Sequence, residues 1–104
     1  MKSNPEVNET IGKLIHHYRI RKGLTQSDLA RLLGHESPQF VSNLERGRAG
    51  VPIETLGMLC ALINLPEKST VQLMLSTYER ELNKQILRGK NRILTQRGNL
   101  KLAV

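Results

Sequence analysis

Apolar residues recur at intervals of three and four along most of this chain, and the breaks between runs hold residues that end helices. Ile11, Leu14, Ile15 and Tyr18 share one face of a first helix, which closes at Gly23 in "IRKGL". A second starts at Thr25, a good N-cap, buries Leu29, Ala30 and one of Leu32 and Leu33, and stops at Gly34, which allows a left-handed turn. The third starts at Ser37-Pro38. Serine caps it, and proline takes the first helical position, where its missing N–H and fixed φ do no harm. Val41 and Leu44 then face inward, Gly47 ends the helix, and "RAGVP" is a loop.

Pro52 to Asn64 reads as a fourth helix with Ile53, Leu56, Leu59, Cys60 and Ile63 toward the core, and its almost wholly apolar make-up predicts a central place. From Glu67 a fifth segment carries Val71, Met74, Leu75, Tyr78, Leu82 and Ile86 at helical spacing. At about 1.5 Å per residue it reaches roughly 30 Å, more than a small domain needs. The remaining "RGKNRILTQRGNLKLAV" has two glycines and no clear period, and reads as extended or poorly ordered. Strand signals are weak and aromatics make up only 3% of the chain, so the predicted class is all-α with five helices and a basic C-terminal tail.

Charge changes this picture in one respect. The formal net charge is +7, from 16 basic and 9 acidic residues, which points to a polyanionic partner without naming it. Lys84, Arg88, Lys90, Arg92, Arg97 and Lys101 all follow Leu82 with no acid among them, so the first 82 residues are almost neutral. Contact with nucleic acid by the main body then relies on a few placed groups and helix ends instead of a broad positive field.

Other chemistry is thin. At 104 residues the chain has room for one compact core. Its single cysteine, Cys60, rules out an internal disulfide and a multi-cysteine metal site. No apolar run is long enough to span a bilayer, and "MKSNPEVNET" lacks the features of a signal peptide, so a cytoplasmic protein with no membrane partner is expected. His16, His17 and His35 have no further ligands at metal-binding spacing and read as helix and loop surface. No nucleophile with a base, Gly-rich phosphate loop or paired carboxylates is present, so neither catalysis nor a cofactor is expected.

Residues 9 to 65 resemble the phage-repressor and Cro helix-turn-helix proteins, the XRE family. The resemblance is carried by "LTQSDLARLLG" with Gln26, Ala30 and Gly34 in register, by Val41 and Leu44, and by "LERG". Ala30 has a physical reason, because the two helices of the motif cross closely there. The chain departs from the family in one place: between Gly34 and Val41 it has one residue more than the common pattern. If "HES" absorbs that residue, the third helix keeps its register counted back from "LERG". If the helix absorbs it, every assignment slips by one. Pro38 favours the first alternative, since it fixes the helix start locally. The division is then an N-terminal arm (1–8), a helix-turn-helix DNA-binding domain (9–65), a long helix for dimerisation (66–88) and a basic tail (89–104).

The resemblance implies that Ser37, Gln39, Ser42 and Asn43 occupy positions that touch DNA. Gln39 and Asn43, four apart on one face, carry amides able to pair with the N7 and N6 edge of adenine, and with Ser42 they are the base-reading candidates; outside such a motif they are simply solvated. Gln26 and Ser27 at the start of the second helix, Ser37, and Arg46 and Arg48 flanking Gly47 are the phosphate candidates. Phe40 either packs on the "HES" turn or meets a thymine methyl. Arg19 and Glu45 match two family positions that form a partly buried ion pair.

The resulting expectation is a homodimeric, sequence-specific regulator of transcription, a repressor on double-stranded DNA with two half-sites, dimerising through Tyr78, Leu82 and Ile86. The alternative is an antitoxin-like subunit that neutralises a partner protein and regulates its own operon. A non-specific binder driven by the tail is a further rival.

Overall fold

The structure, a computed structural model, describes residues 4–96. Among these residues there are five helices and no strand: α1 (Pro5–Arg21), α2 (Gln26–Leu32), α3 (Gln39–Glu45), α4 (Ile53–Ile63) and α5 (Glu67–Gln96). The chain divides into two units, one up to Met74 and one from Leu75.

The first unit holds the core. Val7, Ile11 and Ile15 of α1 meet Leu29, Ala30 and Leu33, Val41 and Leu44 of α3, and Leu56, Leu59 and Ile63 of α4, with Leu65 beside them. Of the two leucines left open by the spacing, Leu33 is the buried one and Leu32 is exposed. Ala30 is buried, as close crossing of α2 and α3 requires.

Helix ends follow local chemistry. Thr25 and Asp28 form a capping box: Thr25 Oγ1 accepts from the Asp28 N–H at 3.0 Å and Asp28 Oδ2 accepts from the Thr25 N–H at 2.9 Å. Pro38 has helical angles, its carbonyl accepts from the Ser42 N–H at 2.9 Å, and Ser37 Oγ accepts from the Gln39 N–H at 3.1 Å. The additional residue of the turn therefore precedes the helix, and α3 starts where Ser37-Pro38 dictates. At Gly34, φ is +85°, and two backbone bonds, His35 N–H to Ala30 O at 2.8 Å and Gly34 N–H to Arg31 O at 3.0 Å, close the end of α2. The same paired bonds close α1 around Gly23 and α3 around Gly47. Phe40 packs against the turn, its ring stacked on His35 with centroids 3.9 Å apart.

Four expectations are corrected. First, α1 begins at Pro5, so residues 5–8 are helix and not an arm; Val7 and Asn8 are buried. Asn4 Oδ1 accepts from the Glu6 and Val7 N–H groups at 2.9 and 3.3 Å, and Pro5 follows it, the same cap-then-proline signal as Ser37-Pro38. Second, Ile53 is 73% exposed and Cys60 only partly buried. In a helix apolar on every side, spacing cannot choose the inward face. Third, α4 is not central: α3 packs on both α1 and α2, while α4 meets α1 less extensively. Fourth, α5 runs through Gly89 to Gln96, so 89–96 is helix where an extended tail was expected. Glycine in a helix costs only about 1 kcal/mol relative to alanine, and the helix-forming residues around it outweigh that. Arg97, Leu100, Lys101 and Leu102 of the expected tail lie outside the described residues.

Candidate nucleic-acid interface

Three helices are tied together at the last residue of α3. The Glu45 side chain is 5% exposed and accepts twice from Arg19, which is 6% exposed: Nε donates to Oε2 at 2.6 Å and Nη2 to Oε1 at 3.0 Å. Arg19 Nη1 donates to the Leu24 carbonyl at 2.8 Å, just beyond α1. Two further groups reach Glu45 Oε1, His16 Nδ1 at 2.8 Å and Gln26 Nε2 at 3.1 Å. Burial pushes the Glu45 carboxyl up, but hydrogen bonds from Arg19, His16 and Gln26 outweigh it and hold the group below the usual carboxylate range.

Close backbone approach completes this junction. A Cβ on Gly12 would lie 2.6 Å from the Glu45 carbonyl oxygen and would also strike that of Leu44, so only glycine lets α1 meet the end of α3. Gly47, at φ +70°, would likewise place a Cβ 2.8 Å from Glu9 Cα. Arg46 and Arg48 flank this pinned glycine and are exposed. Among the described residues neither has an acidic partner within 4.0 Å.

Along the face of α3 away from the core lie three polar side chains, Gln39, Ser42 and Asn43. Gln39 is exposed, Ser42 and Asn43 are half-buried, and Gln39 Nε2 donates to Asn43 Oδ1 at 2.8 Å. One amide hydrogen of Gln39 is thereby committed, while its Oε1 and other hydrogen stay available. Ser37 uses an oxygen lone pair as the cap and retains its O–H as a donor.

The start of α2 supplies donors of another kind. Among the described residues, the backbone N–H groups of Gln26 and Ser27 have no acceptor. Because α2 is only 7 residues long, its dipole is small, and any attraction for an anion there rests on these N–H groups and the Ser27 hydroxyl. The Gln26 side chain is already anchored on Glu45, so one of its donors serves the junction.

The structure thus brings Arg19, Glu45 and Gln26 together, and pairs Gln39 with Asn43. Among the described residues the side chains of Ser27, Arg46 and Arg48 make no hydrogen bond to these groups; Ser37 Oγ accepts from the Gln39 N–H, and the Arg48 backbone N–H donates to the Asn43 carbonyl at 3.0 Å. His16 joins the junction although it reads as surface in the sequence; its position one turn before Arg19 on α1 is the signal for it. No three His, Cys, Asp or Glu side chains among the described residues come together in a way that could hold a metal ion.

Two short helices joined by a glycine-containing turn, the second with amides along its outward face and a buried ion pair at its end, are the architecture of a helix-turn-helix DNA-binding domain. The model of the helix-turn-helix family, of the XRE type, matches residues 15–68, and the chain belongs to that family. It is a DNA-binding regulator of transcription. Among solved structures it is similar to the clp gene regulator ClgR from Corynebacterium glutamicum. One structure of that regulator is 28% identical with a TM-score of 0.56, covering 68% of this chain and 91% of that one. A second is 25% identical with a TM-score of 0.55, covering 85% and 89%. No curated protein sequence matches. None of the described helices is long and apolar enough to cross a membrane.

Proposed function

We propose that this protein acts as a homodimeric, sequence-specific repressor whose α3 enters the major groove of each half-site of a two-half-site operator. The observation that carries the reading is the Gln39–Asn43 amide pair on the face of α3 turned away from the core. Asn43 fixes the Gln39 amide through one hydrogen, and the remaining Oε1 and N–H form the acceptor and donor edge that an adenine N6 and N7 require. Ser42 lies between them and reads a neighbouring base edge. Gln26, Ser27, Ser37, Arg46 and Arg48 meet phosphates and set the register of α3 on the duplex. Tyr78, Leu82 and Ile86 join two copies; Leu82 and Ile86 are exposed, in keeping with a surface that another chain covers.

A single module makes too few contacts for useful discrimination, and pairing two on one site multiplies their effect. Selection of bound sites from random duplex DNA tests this. The expected product is a palindrome with half-sites centred about 34 to 36 Å apart, one helical turn of DNA. A binder driven by charge alone returns no consensus and a specificity ratio near one with a steep salt slope. The exposed apolar residues of α5 also suit a partner-neutralising subunit. A chain that is monomeric alone and gains its palindrome only with a co-purified partner establishes that role instead.

A further inference from the structure

The unit from Leu75 onward has an exposed apolar stripe with an internal symmetry. Leu75, Leu82, Ile86 and Ile93 are between 49% and 61% exposed, and at the helical advance of about 100° per residue they fall within roughly 20° of one line. Their separations are seven, four and seven residues, a sequence that reads the same from either end and is centred on Lys84. Turning the helix end for end about Lys84 lays Leu75 on Ile93 and Leu82 on Ile86. Two copies related by a two-fold axis at right angles to the helices therefore match apolar residue to apolar residue along the whole stripe.

Charge fits the same operation. Glu79 and Lys90 lie on one flank of the stripe, and an antiparallel two-fold sets each flank against the same flank of the other copy. Glu79 of one copy then comes level with Lys90 of the other, twice over. Leu87 and Leu94, exposed on that flank, come level with Leu82 and Leu75. Among the described residues Glu79 and Lys90 have no ion-pair partner within 4.0 Å, so both charges are available. A parallel pair would leave Glu79 and Lys90 of the two copies about 16 Å apart along the axis.

We propose that the stripe is occupied by a second copy of this chain, in an antiparallel helix pair centred on Lys84, with Glu79 and Lys90 joined across it. This rests on the homodimer reading above and adds the orientation, register and pairing rule. The specificity it implies is self-recognition: a related chain whose charges are arranged otherwise pairs less well.

The test uses the full chain with Cys60→Ser. Leu75→Cys and Ile93→Cys proteins are prepared separately, then oxidised alone and after mixing. A disulfide-linked dimer forms only in the mixture. In parallel, sedimentation measures dimer strength in Glu79→Lys, Lys90→Glu and the double exchange. Each single reversal weakens the dimer roughly tenfold and the double exchange returns it to within about threefold of the starting chain. These residues are exposed, and circular dichroism verifies that each variant folds. Cross-linking by Ile93→Cys alone overturns the proposal in favour of a parallel pair. A dimer without the mixed cross-link, or without rescue by the double exchange, overturns it while leaving the homodimer intact. A chain that stays monomeric in solution and on its operator overturns both.

Discussion

Arg19 and Glu45 are each almost fully buried, so their value depends on their meeting. Removing water from two charges costs several kcal/mol per ion, and the attraction between them returns little beyond that cost. Arg19→Ala leaves the Glu45 carboxylate buried with only His16 and Gln26, and the expected loss is about 3–5 kcal/mol by chemical denaturation. Exchanging both residues, Arg19→Met with Glu45→Leu, costs much less than the sum of the single changes. A double exchange as damaging as that sum shows that the pair contributes stability outright.

The same carboxylate sets an acid limit. Its pKa lies lower in the folded chain than in the unfolded one, so the stability it contributes is complete above the usual carboxylate range and is lost as pH falls through the folded value. Glu45→Gln removes that titration. Its stability should vary less between about pH 5 and pH 2 than that of the starting chain, although it is lower at neutral pH. Unfolding free energies of the two proteins measured across this range, compared by their slope with pH, are the measurement.

For the amide pair the observable is a binding preference. Gln39→Ala should cost about 1–3 kcal/mol on the preferred site and relax selection at one base position, and Asn43→Ala should do so as well through loss of the Gln39 anchor. Equal weakening on every sequence would assign both to the DNA backbone.

Elements differed in how far the sequence revealed them. The start of α3 and the ends of α1, α2 and α3 were legible because a cap, a proline or a positive-φ glycine acts within a few residues. Asn4-Pro5 carries the same signal, and before Ile11 only Val7 continues the apolar stripe. Contacts distant in sequence leave no such mark. Glu45 lies 26 residues from Arg19, 29 from His16 and 19 from Gln26. The first of these was accessible only through family resemblance, and the other two were not anticipated. Gly12 was equally silent, since its role depends on the α3 carbonyls that arrive against it. For α5, two glycines and the lack of a clear period from Arg88 onward point to an extended tail, although neither a cap nor a proline accompanies Gly89. A Cβ there would meet nothing within 4 Å, so Gly89→Ala should raise helicity by circular dichroism and stabilise the helix by about 1 kcal/mol. Unchanged helicity would mean that this turn is held by something other than its own propensity.

In the whole molecule, the helix-turn-helix motif and the apolar stripe proposed for pairing belong to separate units of the chain, so the two proposed roles are separable by truncation. A chain ending at Lys84 retains every residue of the helix-turn-helix domain and loses Ile86, Lys90 and Ile93. Sedimentation should show a weaker dimer, and affinity for a two-half-site operator should fall steeply while affinity for an isolated half-site changes little. The basic residues Arg88 and Arg92 also go with the truncation, so part of the loss should shrink as salt rises, by the counterion release they would have provided. Equal dimerisation and equal operator affinity at every salt concentration would remove this segment from both roles.

The arrangement of α3 has an evolutionary consequence. Val41, Leu44 and Glu45 hold the helix in place, while Gln39, Ser42 and Asn43 turn away from the core. Gln39 is exposed and Ser42 and Asn43 are half-buried, so substitutions in the second set disturb folding less than those in the first. If these side chains read bases as proposed, a lineage can change the site it recognises in single steps, while the junction beneath tolerates almost no drift. Duplicated copies of such a gene would diverge first in the sites they bind and last in their shape.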